Sequence, residues 1–122
     1  VRQTRQDGRE ELFGVLQTVE GVIAQKYVTQ PNETGPVAQI DNHGLTWTRE
    51  EWVWPVRIYV KANDPSAEEA QAILDQTVDA LERACNIAGY GTRGDDQFVP
   101  NTSADQVLWQ ATVNVTVPRE DF

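Results

Sequence analysis

The side chains that could do chemistry are few and scattered. His43 is the one histidine of the chain, set between Asn42 and Gly44. An imidazole can act as a general base near neutral pH, but Asn-His-Gly is turn chemistry, and a turn is the reading adopted. Cys85, the one cysteine, falls on the apolar stripe of a helical segment. A buried thiol is inert, so packing is favoured over nucleophilic attack. A single cysteine also excludes an internal disulfide and a cysteine-rich zinc site. The acid pairs Glu50-Glu51, Glu68-Glu69 and Asp95-Asp96 are sequence neighbours, and neighbours on a helix or strand diverge rather than converge on a metal or a substrate. Gly89, Gly91 and Gly94 follow a helix and not a strand, the wrong context for a phosphate or dinucleotide loop. The sequence therefore assigns no catalytic residue, no cofactor-binding residue and no metal ligand. An enzyme would need an active site assembled by the fold without any local signature.

The elements that carry these residues are easier to read. With 122 residues the chain is expected to form one domain. Its 39% hydrophobic content and mean hydropathy of −0.52 suit a thin core, or a domain that buries further surface against partners. Nineteen acids against ten bases give a net charge of −9, which repels phosphate and speaks against a DNA-binding or lipid-binding basic patch. Arg2, Arg5 and Arg9 come closest to a basic run, and a solvated helix start explains them better than a phosphate-binding arm. No stretch approaches the ~20 apolar residues of a membrane span. The opening Val1-Arg2-Gln3-Thr4-Arg5 lacks the apolar core of a signal peptide.

Leu12, Phe13, Leu16 and Val19 recur at helical spacing. They predict a helix over about Asp7 to Glu20, capped by Asp7 with Glu10 and stopped at Gly21. Gly14, in its middle, is expected to mark close packing. Val22 to Val28 is β-prone and is expected to form a strand, Thr29 to Pro36 is a proline- and glycine-broken loop, and Val37 to Asp41 is a short strand. After the Asn42-His43-Gly44 turn, Leu45 to Arg49 is expected to pair back on that strand as a hairpin. Trp52, Trp54, Val56, Ile58 and Val60 then alternate onto one face of a strong strand, Trp52 to Lys61. Pro55 has no amide hydrogen to donate, so the start of this strand should be an edge or carry a bulge. Asp64 or Ser66 caps a second helix with an apolar stripe from Ala70 through Leu74, Leu81 and Cys85 to Ala88, ended by Gly89. Gly89 to Thr102 reads as a polar loop, in which Arg93-Gly94-Asp95 is a turn rather than an integrin ligand. Val107 to Val117 alternates cleanly as a half-solvated antiparallel strand that Pro118 stops. The sum is an α+β fold: a mainly antiparallel sheet of about four to five strands, packed by one long helix and a shorter N-terminal helix.

The tryptophans exceed what one long helix need cover. Trp109 and one of Trp52 or Trp54 are assigned to the core, and Trp47 to a partner, since tryptophan and arginine are common interface anchors. The segment Thr29 to Arg49, with Trp47 and Arg49, is the first candidate contact surface. Arg57 and Tyr59, on the sheet face away from the long helix, are the second, and Trp54 completes the set of candidate interface residues.

The order of elements, with the strand Trp54-Pro55-Val56-Arg57-Ile58-Tyr59-Val60-Lys61, the helix Ala70 to Cys85 carrying Leu74-Asp75 and Val78-Asp79-Ala80-Leu81, and the alternating strand Val107 to Val117, resembles the tail terminator proteins of long-tailed bacteriophages. These are also called tail-completion or tail-to-head joining proteins. The likeness runs from about Glu10 to Val117 and is a pattern of elements rather than a fingerprint. It implies a virion structural protein with no enzymatic activity and no cofactor, assembled in the host cytoplasm and placed at the tail–head junction. It implies a ring, commonly a homohexamer, that caps the tail tube and meets the head-completion (neck) protein; the net charge adds the expectation that, where the acids face inward, DNA passes through an acidic lumen without specific binding. The alternatives from other classes are a small ligand-binding or regulatory module and, third, the enzyme with a non-local site.

Overall fold

Why the first helix begins where it does is settled by a threonine. The computed structural model describes residues 4–28, 36–62, 68–94, 99–103 and 106–119. Helix α1 spans Arg5–Gln17, and Thr4 caps it: its hydroxyl accepts the Asp7 N–H at 3.2 Å while the Asp7 carboxylate accepts the Thr4 N–H at 3.3 Å. Asp7 therefore closes a capping box and does not open one, and the helix starts earlier than expected. Leu12 and Leu16 bury its inner face. A Cβ on Gly14 would meet nothing within 4 Å, whereas one on Gly8 would lie 2.9 Å from Trp52 Nε1. Gly8, not Gly14, is the close-packing glycine.

The strands are β1 (Ile23–Gln25), β2 (Val37–Ile40), β3 (Thr46–Trp47) and β4 (Glu51–Ala62), followed after helix α2 (Glu68–Ile87) by β5 (Gly91–Gly94), β6 (Val99–Ser103) and β7 (Gln106–Pro118). They form one sheet in the order β1-β2-β4-β7-β5, with β3 added beside β4 and β6 beside β7. Among the described residues β1 and β2 pair in parallel and the other pairings are antiparallel. This is the expected α+β architecture, with the shorter helix at the N-terminus. Both helices pack on the same sheet face, over Trp52, Trp54, Val56, Ile58 and Val60 of β4 and the alternate residues Trp109 to Val117 of β7.

Three further local expectations are corrected. Leu45–Arg49 does not fold back on β2; Thr46–Trp47 pairs with Val53 and Trp52 of β4 instead. The Thr48 hydroxyl accepts the N–H groups of Glu50 and Glu51 and the Thr48 N–H reaches the Glu51 carbonyl, so the tight turn lies after β3. The segment Gly89 to Thr102 is not simply a loop, because β5 and β6 lie within it and add to the flank of β7. Arg93 and Gly94 of the Arg-Gly-Asp triplet are in β5, and Asp95 lies outside the described residues, as do the caps proposed at Asp64 and Ser66 and most of the Thr29–Pro36 loop.

Pro55 is the third correction. It sits opposite Asn114 in β4, a strand paired on both sides and not an edge. Its carbonyl accepts the Asp41 N–H at 2.8 Å. A strand residue directs its N–H and C=O to the same side, so the missing hydrogen faces the gap where β2 ends and β3 has yet to begin. The 3-10 turn Asn42–Gly44 fills that gap, capped by Asp41, whose carboxylate accepts the N–H groups of His43 and Gly44. Gly44 lies so near that a Cβ there would be 2.7 Å from Pro55 Cγ.

Helix α2 buries Ala70, Leu74, Thr77, Leu81 and Cys85 and turns five carboxylates, Glu68, Glu69, Asp75, Asp79 and Glu82, away from its buried stripe. Fully burying a leucine contributes roughly 1.5–3 kcal/mol gross, so Leu74 and Leu81 anchor the helix. Gly89, at φ 87°, supplies the left-handed turn that ends it. No helix of the described residues is long and apolar enough to cross a membrane.

Candidate interaction surface

Trp47 is the exposed tryptophan. It projects from the two-residue strand β3 with 54% of its surface accessible, and the Arg5 guanidinium lies 5.0 Å from its ring centroid. One helical turn on, Arg9 lies 5.2 Å from the ring of Tyr27, which is also 54% exposed, and 5.6 Å from that of Trp54. Arg9 donates through Nε to Asn42 and through a terminal nitrogen to the Tyr27 hydroxyl. Asn42 in turn donates to the Lys26 carbonyl at 3.0 Å. Lys26 pairs with Glu10 at 2.7 Å and lies 5.0 Å from the Phe13 ring. Arginine on α1 thus ties two exposed aromatic side chains, one before and one after β2, into a single patch.

Arg5 lies exposed at the start of α1, as a solvated helix start requires, and Arg5 and Arg9 also stack on aromatic rings, because the helix N-terminus lies beside β3 and the turn after β1. Arg2 is outside the described residues. The four-residue spacing of Arg5 and Arg9 was the available signal: it puts both on one helix face. Tyr27 carried no signal of its own.

The remaining candidates divide. Trp54 is 0% exposed, its ring centroid 6.4 Å from that of Trp52. Trp52, Trp54 and Trp109 are all buried, so the core takes both tryptophans of β4 rather than one, and Trp54 offers no surface to a partner. The reason is that α1 covers this end of the sheet as well as α2: Gly8 admits the Trp52 indole, and Arg119 lies 4.2 Å over the same ring from the other end of the chain. Arg49 lies in the exposed turn between β3 and β4, beside Trp47 in sequence.

Arg57 and Tyr59 do lie on the sheet face away from the helices, but only Arg57 is exposed; Tyr59 is buried. Arg57 pairs with Asp41 at 2.8 Å. Its hydrogen bond with Tyr59 and the charge of Asp41 push its pKa up, against partial desolvation. Asp41 therefore ties Arg57 to the 3-10 turn, and the second pair is a structural clamp more than an open contact.

His43 lies exposed in that turn. Cys85 is fully buried, and burial, assisted by the negative charge of Glu82, pushes its thiol up to about 11. A thiol held there carries almost no thiolate at neutral pH. Burial, then Glu11 and Cys85, likewise raise the Tyr90 phenol. Among the described residues no group of three or more His, Cys, Asp or Glu is placed to hold a metal ion.

What the arrangement can do is bind through aromatic faces and guanidinium donors, the side chains that dominate protein interfaces. Neither protein-family models nor curated proteins match the chain.

Proposed function

We propose that this chain is an assembly protein, a virion subunit of the tail terminator kind. In this reading, copies form a ring, hexameric in the usual case, that caps the tail tube of a long-tailed bacteriophage and receives the head-completion protein on its other side. The observation that carries the reading is Trp47: a large indole left 54% exposed on a short strand, with an arginine stacked on it. Exposing such a surface on an isolated domain forfeits hydrophobic stabilisation, and its burial against a partner recovers it. The order of helices and strands supports the same reading, since the long helix lies across a mainly antiparallel sheet whose last strand in the chain is the alternating β7. The net charge of −9 suits a ring through which DNA slides without sticking, provided the carboxylates line the lumen.

Particle mass in solution combined with negative-stain imaging tests the proposal. The expected result is a closed ring of several copies with a central hole. A compact monomer at all concentrations, or a ring whose lumen is basic, contradicts it.

A further inference from the structure

We infer that copies of the chain meet head to tail, the acidic flank of α2 around Ile87 on one copy docking on the Arg5–Trp47 and Arg9–Tyr27 patch of the next. The inference rests on the ring-forming reading and names its contact.

The two surfaces lie at opposite edges of the sheet. The arginine–aromatic patch belongs to α1, the turn after β1, and β3, all on the β2 side of β4. The acidic flank lies beyond β7. There Thr92 of β5 reaches Asn86 of α2 at 3.5 Å, and a Cβ on Gly94 would lie 3.5 Å from the Glu82 carboxylate. A contact between different surfaces at opposite edges propagates from copy to copy, and it closes into a ring when the rotation per step divides the circle.

The chemistry of the two surfaces is complementary. Ile87, the last residue of α2, is 82% exposed. Asp79 and Glu82 precede it on the same flank, with Arg83 and Asn86 beside them around an open depression. Along the whole helix five carboxylates face one guanidinium. On the opposite edge, Trp47 and Tyr27 offer apolar area for Ile87. Arg5 and Arg9 offer donors in the plane of the guanidinium, which stacking on a ring leaves pointing outward. Arg9 has five such N–H donors, more than its bonds to Asn42 and Tyr27 use. A two-fold contact of either surface with itself would set Arg5 and Arg9 against their own copies, or Asp79 and Glu82 against theirs with Arg83 alone to offset them. Like charges so placed are disfavoured at an interface. Charge therefore selects the head-to-tail pairing over the symmetric dimer.

Exchanging the charges tests this. Arg5→Glu moves the basic edge toward acidic, and Asp79→Lys moves the acidic edge toward basic; both positions are exposed, so each variant should melt close to wild type at a dilution where none of the chains is assembled. Each alone should raise the concentration for half-assembly roughly tenfold or more. Mixed in equal amounts they should reassemble, because each altered edge then meets its complement. The product should be an even-membered ring with the two chains in equal number, read by native mass spectrometry. Ile87→Asp should also weaken assembly, and neither charge variant should rescue it. Wild-type rings that form while neither charge change weakens them overturn the contact and leave the ring reading standing. Variants that weaken singly but fail to restore one another overturn the head-to-tail pairing in favour of a symmetric one. A wild-type chain that never assembles removes the ring reading itself, and the contact with it.

Discussion

Trp54 and Trp47 come from one short stretch of sequence, yet one is completely buried and the other is more than half exposed. The indole is the same; the strand is not. Trp54 sits inside a long strand flanked on both sides, with its face covered by two helices. Trp47 ends a two-residue strand that has β4 on one side only in the described sheet. A tryptophan's role here is therefore set by how many elements surround its strand, and not by its own hydrophobicity.

The largest effect that sharpens this contrast is at the buried position. Trp54→Ala should lower the unfolding free energy by ~3–5 kcal/mol, measured by urea denaturation, because it leaves a cavity beneath α1 and α2. A loss below ~1 kcal/mol would mean that the tryptophan core does not hold this end of the sheet.

The glycines of α1 give the next test. Alanine normally stabilises a helix interior over glycine by up to ~1 kcal/mol, and Gly14→Ala should show that gain. Gly8→Ala should do the opposite, with a loss of ~1–3 kcal/mol, because its Cβ would press on the Trp52 indole. Equal effects at both positions would contradict the packing of α1 on Trp52.

Much of this architecture was legible in the sequence. The alternation of Trp52, Trp54, Val56, Ile58 and Val60, and of Trp109 through Val117, gave the core faces of β4 and β7 directly. The stripe Leu74, Leu81 and Cys85 gave the buried side of α2. Pro55 misled because a linear reading cannot show a strand changing its neighbour halfway along. Strands β5 and β6 were hidden because Gly-Thr-Arg-Gly and Val-Pro-Asn-Thr-Ser have no apolar alternation; their pairing comes from backbone groups completing the ladder on β7. The patch was half legible. Trp47 stood out as surplus, but the stacking of Arg5 and Arg9 depends on where α1 lies against β3 and the turn after β1, which no local spacing encodes.

A smaller effect concerns pH. The Cys85 thiol titrates at about 11 in the folded chain against 9.0 for an unperturbed thiol. The folded state therefore binds this proton more tightly. The resulting stability is complete below pH 9.0 and is lost as pH rises through about 11. Cys85→Ala should remove this component, so the difference in stability between wild type and variant should shrink over that window. A difference that stays flat would mean that the thiol is accessible to solvent.

The smallest change in stability belongs to the exposed tryptophan. Trp47→Ala removes a stacked arginine contact worth roughly 0.5–1 kcal/mol at such a site, so its urea midpoint should stay close to that of wild type at a dilution where neither chain assembles. Assembly is where Trp47 should matter. Sedimentation of wild type and Trp47→Ala over the same concentration series tests the central claim most directly. The account predicts a ring for the wild-type chain and a folded, predominantly monomeric species for the variant. Identical oligomers from both chains would contradict it.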